Sequence, residues 1–280
     1  MDNLKVWGID IPTEALSQSE IDYLASLPEK LPSVKWVWQE MDRVWDKFGL
    51  DNKKSLSNQS IGDYYSHPIW LMNGIFTQLD PISVAHRKSI ASFLRDKKVA
   101  KIADYGGGFG EMALTLNRII TDSEVTVVEP YPSTFGLERL KNTKGIVIRK
   151  DLPRDSFDAV IAQDVLEHVE DPVLLAWELT ESVHVGGIVI FANCFFPYIK
   201  CHLPDTFHLR HTFPWMAKRM GLKYIGVIPG AFHAQVFIKI RPAELSSARK
   251  VEHISKRIAL LLNNPLSTIL SKVKRRLIRR

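Results

Sequence analysis

Apolar and polar positions along this chain switch between two periods. Residues 13–50 follow the helical one. TEALSQSEIDYLASL has capping residues ahead of an apolar stripe, and Val34, Val37, Met41, Val44, Trp45 and Phe48 recur at helical spacing. Residues 51–66 are polar and read as a connection. HPIWLMNGIF is an apolar patch that either closes over a pocket or packs on a core. From Pro81, ISVAHRKSIASFLRDKK reads as an amphipathic helix leading to the first strand of a sheet.

From residue 99 strands and helices alternate. VAKIADY, EVTVVEP, GIVIRKD, FDAVIAQD, GGIVIFANCF, LKYIGVI and HAQVFIKI read as strands. Between them lie helical segments: one carrying Met112, Leu114, Leu116, Ile119 and Ile120, one over 132–141, and TFPWMAKRMG. EDPVLLAWELTESV is another, with Asp171 as N-cap and Pro172 at the first helical position. Strands nearly continuous in Val and Ile, separated by helices, predict a mostly parallel sheet covered on both faces. The last two strands, joined by PGAF, predict a hairpin and one antiparallel member. The expected fold is α/β, a seven-stranded, mostly parallel, doubly wound sheet. It divides into a helical N-terminal extension or lid over 1–80, the main domain over 81–240, and basic amphipathic helices over 241–280.

Composition narrows the setting. No stretch reaches the roughly 18 apolar residues of a spanning helix, and the N-terminus has no signal-peptide pattern. Cys194 and Cys201 are the only cysteines, and their spacing matches no zinc motif or disulfide framework. A reducing, cytoplasmic setting is the natural reading. The net charge of +6 is uneven: residues 241–280 carry 11 basic and 2 acidic groups, leaving 26 basic and 29 acidic elsewhere. The charge belongs to the tail, which argues against a groove for nucleic acid.

The chemistry gathers at KIADYGGGFGEM. Four glycines in five positions, between a strand and a helix, mark a close approach to the backbone. A phosphate loop needs a Gly-Lys-Ser/Thr ending, which is absent. A dinucleotide fingerprint would put its third glycine on Glu111, a carboxylate opposing a pyrophosphate. Asp104, Gly106, Gly108 and Gly110 instead spell D-x-G-x-G-x-G, which suits a cationic, phosphate-free nucleoside such as S-adenosylmethionine (SAM). Glu129, ending the next strand, is placed to accept from ribose hydroxyls.

With these residues the chain resembles the class I SAM-dependent methyltransferases over about residues 80–240. IADYGGGFGEMALTL, VTVVEP, FDAVIAQDVLEHVEDP, GGIVIFAN and HLRHTFPWMAKRMGLKYIG carry the resemblance. It implies a Rossmann-like methyltransferase fold, with Asp104 and the glycines at the methionine moiety and Glu129 on the ribose. It also implies Asp151 near adenine, though the RKDLPRDSFD loop is compressed, and Gln163 and Asp164 on the pocket floor.

Two clusters are candidates for the chemistry itself. Asp164, Glu167 and His168 resemble the E-x-x-E-H that holds a divalent metal in some relatives, where oxygen-rich ligands favour Mg²⁺. LEHV also occurs in metal-free relatives, where the histidine only shapes the pocket. The second cluster is His202, His208 and His211, after the fifth strand. Each is a candidate general base, with His208 and then His211 preferred. The alternative is that they cap the next helix.

After RPAE, Leu245, Ala248, Val251, Ile254, Ile258, Leu261 and Leu262 form one stripe, and a second, basic stripe runs beyond Pro265. This pattern predicts peripheral attachment to an anionic membrane surface, on its inner face, or else an extra helix packed on the domain. The expected acceptor is a sugar oxygen in a cell-surface glycan or lipid-linked saccharide, placing the chain in polysaccharide biosynthesis. A small-molecule or quinone-type O-methyltransferase using Mg²⁺ is the alternative. A non-catalytic SAM-binding scaffold is the reading from another class. The sequence sets no oligomeric state.

Overall fold

The chain, described here by a computed structural model over residues 3–130 and 132–262, begins with a hairpin of β1 (Asn3–Val6) and β2 (Ile9–Pro12). Its turn is Trp7-Gly8, both with positive φ. The helical extension expected over 1–80 thus opens with a short antiparallel hairpin. A Trp-Gly pair lacks the Asn-Gly or Asp-Gly signature that announces such turns.

Five helices follow: α1 (Gln18–Ala25), α2 (Val34–Lys47), α3 (Asn58–Tyr65), α4 (Pro68–Leu79) and α5 (Pro81–Asp96). Ser17 caps α1 with a full capping box, and the Asp80 carboxylate caps α5 by accepting from Ser83 N at 2.8 Å. In α3, Ser57 Oγ accepts from Ser60 N at 3.1 Å and Tyr64 is fully buried. That helix corrects the reading of 51–66 as a connection, because its anchor is one aromatic ring rather than an apolar stripe. On α2, Val37, Met41, Val44 and Trp45 are buried. At roughly 1.5–3 kcal/mol for a fully buried large apolar side chain, they hold a helix that would be marginal alone.

The rest alternates: β3 (Lys101–Tyr105), α6 (Glu111–Ile119), β4 (Glu124–Val128), α7 (Thr134–Leu140), β5 (Ile146–Arg149), β6 (Phe157–Gln163), α8 (Pro172–Glu181), β7 (Val183–Ala192), α9 (Leu209–Arg219), β8 (Leu222–Ile228), β9 (Ala231–Lys239) and α10 (Leu245–Leu262). Seven strands form one sheet in the order β5-β4-β3-β6-β7-β9-β8. All pairs from β5 to β7 are parallel, and β9 runs antiparallel to both its neighbours. The order reverses between β3 and β6, so a crevice opens at their carboxyl ends.

Apolar cores fill both faces of the sheet. One packs Val173, Leu179, Phe213 and Met216 against Val160 and Phe191; the other packs Ile90, Leu94, Met112 and Leu116 against Ile102 and Val125. A third joins α2, α3 and α4 to Ile199, Cys201 and Leu203 in the loop after β7. Hydrogen bonds reinforce this last junction: Lys200 N donates to Asp42 at 2.7 Å and Asn52 Nδ2 to Lys200 O at 2.7 Å.

α10 packs on α8 and α9. Its buried face is Ala248, Val251, Glu252 and Ser255, whereas Ile254 and Ile258 are exposed. The buried face is therefore rotated from the apolar stripe. Arg249 explains part of this, pairing with Asp171 at the start of α8 and with Glu252 at 2.8 Å. The second stripe, beyond Pro265, lies outside the described residues. Among the described residues no helix is long and apolar enough to cross a membrane.

Candidate active site

Three strand ends build the rim of the crevice, and each rim residue is held by the strand beside it. Gly106 N donates to Val128 O at 2.8 Å, Glu129 N to Arg149 O at 3.0 Å and Asp164 N to Ala192 O at 2.8 Å. The ladder thus runs one residue beyond each strand and sets Glu129 and Asp164 at its edge. Asp164 has φ of 52°, a conformation costly for a non-glycine residue and common at functional sites.

The glycine loop has a division of labour. Gly106, Gly108 and Gly110 all have positive φ, which accounts for their alternate spacing. Gly107 does not need that freedom; it needs to be small. A Cβ there would stand 2.7 Å from Asp104 Oδ2 and 2.9 Å from Val127 Cγ1. A Cβ on Gly108 would meet nothing within 4 Å, so this backbone faces open space. Gly108 N donates to Glu129 Oε2 at 2.9 Å, joining the loop to the next strand end.

Asp104 is buried beneath the loop, 2 % exposed, with Oδ2 lacking a hydrogen-bond partner. Burial first, and the Glu129 charge second, push its carboxyl up to about 7. It does not line the cleft, so the structure makes it the loop's support rather than a wall of the pocket. Glu111 is likewise turned aside, ion-paired with Arg139, which also donates to Phe109 O at 3.0 Å.

A cleft of about 540 Å³ lies over this rim. Its lining includes Gly106, Gly108, Glu129 and Asp164 from the strand ends and Tyr65, Trp70, His168 and Leu203 from the surrounding helices and loops. Tyr65 and Trp70 lie 4.8 Å apart by ring centroid, and both meet His168 edge-on at 6.5 and 6.2 Å. α4 serves both purposes allowed by HPIWLMNGIF, since Ile69, Met72 and Ile75 are core while Trp70 faces the cleft. Gly74 of the same helix leaves room for Phe109, whose Cδ2 would be 2.1 Å from a Cβ.

Several expected residues lie elsewhere. Asp151 is exposed and paired with Arg149 at 2.9 Å, outside the cleft. Gln163 ends β6 and reaches Asp164 Oδ2 at 3.4 Å without lining it. His208 is turned toward α10, its Nδ1 2.8 Å from Ser255 Oγ, and burial lowers it to about 4. His211 is exposed on α9, which begins at Leu209, earlier than the expected start near Thr212. Neither histidine reaches the cleft, and placement as general bases is corrected for both.

His202 does come close. Its ring lies 4.9 Å from that of His168, edge to face. Glu167 is fully buried, and burial followed by the nearby Asp164 charge raises its carboxyl. Burial lowers His168 to about 3, with His202 the next cause, so the ring is neutral. Glu167, His168 and His202 therefore group together, and Asp164 is not part of that set.

Sequence reasoning missed the cleft's apolar wall. Tyr65, Phe109, Val165 and Leu203 come from separate segments, and no spacing links them. The crowding of Tyr64, Tyr65 and Trp70 in seven positions was the one available signal.

Residues 103–191 match the family described as "Methyltransferase domain". An uncharacterized methyltransferase of Schizosaccharomyces pombe is 27% identical over 123 residues, covering 36% of this chain and 44% of that protein. The chain thus spans less than half the length of the curated relative it matches. Human N-acetylserotonin methyltransferase in complex with SAM has the same fold, with TM-score 0.50, 16% identity, and coverage of 79% of this chain and 70% of that one. A sugar N-methyltransferase from Streptoalloteichus matches at TM-score 0.34 and 21% identity, covering 40% and 49% of the two chains.

Proposed function

We infer that this chain, whose residues 103–191 match a methyltransferase domain, is a SAM-dependent enzyme that methylates an oxygen on a small, ring-bearing acceptor. One observation carries the reading. One cleft is lined both by an open glycine backbone with a carboxylate and by three rings.

The glycine backbone and the carboxylate fit SAM. Gly108 leaves the space a side chain would fill, and Glu129 presents a carboxylate where ribose hydroxyls would lie. When bound, SAM supplies an electrophilic methyl group on a sulfonium. Its transfer is an in-line displacement that needs alignment and exclusion of water. Tyr65, Trp70 and Leu203 keep water from their part of the cleft, and Phe109 ties that cover to the glycine loop. Aromatic faces at 4.8 Å spacing suit a flat ring offered edge-on or stacked.

The apolar wall of Leu56, Ile61, Val169 and Leu203 favours a phenol-like or quinone-type acceptor over a glycan. The glycan reading draws on the helical N-terminal extension and on the basic tail, whose residues 263–280 lie outside the described residues. It stands as the second proposal, since the same rings can pack on the C–H face of a sugar.

The test has two stages. Calorimetric titration should show SAM and S-adenosylhomocysteine binding, with NAD ignored. Isotope-labelled SAM incubated with lipid, glycan and small-aromatic fractions, followed by mass spectrometry, should then label a ring-bearing acceptor. SAM binding without release of S-adenosylhomocysteine on any fraction would make the chain a scaffold.

A further inference from the structure

Glu167 and His168 lie in the 3-10 turn after β6, and His202 in the loop after β7. One ligand-capable atom of each lies within 4.8 Å of the others. Around a single ion such atoms sit roughly 3–4 Å apart, so a closure of about 1–2 Å completes the set.

Both imidazoles are oriented from behind. His168 Nδ1 is 3.1 Å from Cys201 O, and His202 Nδ1 is 2.6 Å from Phe196 O. A carbonyl can only accept, so each Nδ1 carries the proton and each Nε2 presents a lone pair. This backing of a ligand histidine by a backbone carbonyl is the usual outer shell of a metal centre. The carboxylate shows the same preparation. Glu167 Oε1 accepts from Cys194 N at 2.6 Å, while Oε2, with the side chain fully buried, has no hydrogen-bond partner. A buried carboxylate oxygen left so is costly unless a cation meets it.

We propose that Glu167, His168 and His202 form a two-histidine, one-carboxylate site for a divalent transition metal. Two imidazoles and one carboxylate suit Zn²⁺, Co²⁺ or Fe²⁺, whereas Mg²⁺ prefers oxygen ligands and retains water. The set differs from Asp164, Glu167 and His168, the trio implied by resemblance, in exchanging Asp164 for His202. His168 lines the cleft beside Tyr65 and Trp70, so the open side of the site faces the cleft. Metal binding stands independently of the methyl-transfer reading; only its assignment to the acceptor rests on that reading.

The test uses the full chain without a polyhistidine tag, stripped with chelator and titrated with Co²⁺, Zn²⁺ and Mg²⁺ in turn. One Co²⁺ per chain with visible d–d absorption, a raised Tm with Zn²⁺ and no uptake of Mg²⁺ are expected. His202→Ala and Glu167→Gln should each weaken Co²⁺ binding at least roughly tenfold. SAM titration of each variant reports separately that it is folded. No transition-metal uptake by the wild-type protein overturns the site, whatever the variants do. So does preference for Mg²⁺, or unchanged Co²⁺ affinity in folded variants. Failure to bind SAM with metal binding intact would sink the proposed function instead.

Discussion

Asp104 Oδ2 occupies the space that a side chain on Gly107 would need, 2.7 Å from the position of its Cβ. The second obstacle, Val127 Cγ1 at 2.9 Å, belongs to the neighbouring strand and cannot easily move. Gly107→Ala should therefore cost about 1–3 kcal/mol of stability, as overpacking does elsewhere, and weaken SAM binding through the displaced loop. Urea unfolding and calorimetry measure both, and an unchanged variant would show that the loop yields freely.

The same carboxylate makes stability depend on pH. Its ordinary value of 3.8 is raised to about 7 in the fold. Between those values the folded chain holds a proton that the unfolded chain has lost. Stability from this group is therefore present below about pH 4 and declines as pH rises to about 7. Asp104→Asn cannot lose a proton, so the stability of wild type relative to the variant should fall across that window. Unfolding midpoints at a series of pH values test this; a constant difference would contradict it.

Gly74 links the N-terminal helices to the glycine loop. A Cβ there meets Phe109 Cδ2 at 2.1 Å, so the ring must leave its place in Gly74→Ala. We expect a loss of about 1–3 kcal/mol, and Gly74→Ala combined with Phe109→Ala should lose less than the sum of the two single variants. Thermal unfolding of the single and double variants measures the coupling, and additive losses would exclude it.

Glu129→Ala removes both the acceptor for Gly108 N and the carboxylate proposed for ribose. Hydrogen bonds to charged groups contribute about 1.5–3 kcal/mol, so SAM affinity should drop roughly 10–100-fold. Glu129→Gln, which keeps the contact to Gly108, should lose less. Calorimetry distinguishes the two.

His208 and His211 offer the opposite expectation. With His211 exposed on α9, His211→Ala should leave turnover within about twofold and stability within about 0.5 kcal/mol. His208→Ala breaks the contact to Ser255 and should lower stability by about 1 kcal/mol while sparing turnover. Methyl-transfer rates on the acceptor found by labelling decide the matter, and a large loss of rate in either variant would return it to the cleft.

How much of this was legible beforehand depended on whether the signal was local. The seven strands were readable because each is a short run of Val and Ile bounded by turn residues, and the order D-x-G-x-G-x-G then Glu129 placed a nucleoside at the strand ends. α3 and the β1–β2 hairpin were not readable, since one rests on a single buried tyrosine and the other on a turn of unusual composition. The histidines show the limit most clearly. His202, His208 and His211 lie within ten positions, yet one faces His168, one α10 and one solvent.

By itself, then, the sequence determined the layered α/β fold and the glycine loop with its flanking acids, and its motifs carried a resemblance to the methyltransferases. These follow from periodicity and from backbone conformations that few residues can adopt. Tertiary structure alone decided that Asp104 lies beneath the loop, why Gly107 is a glycine, that Tyr65 and Trp70 reach the cleft, and that His202 joins Glu167 and His168. Most of these depend on contacts between segments far apart in the chain, set by the packing of helices and strands, and no local pattern encodes them.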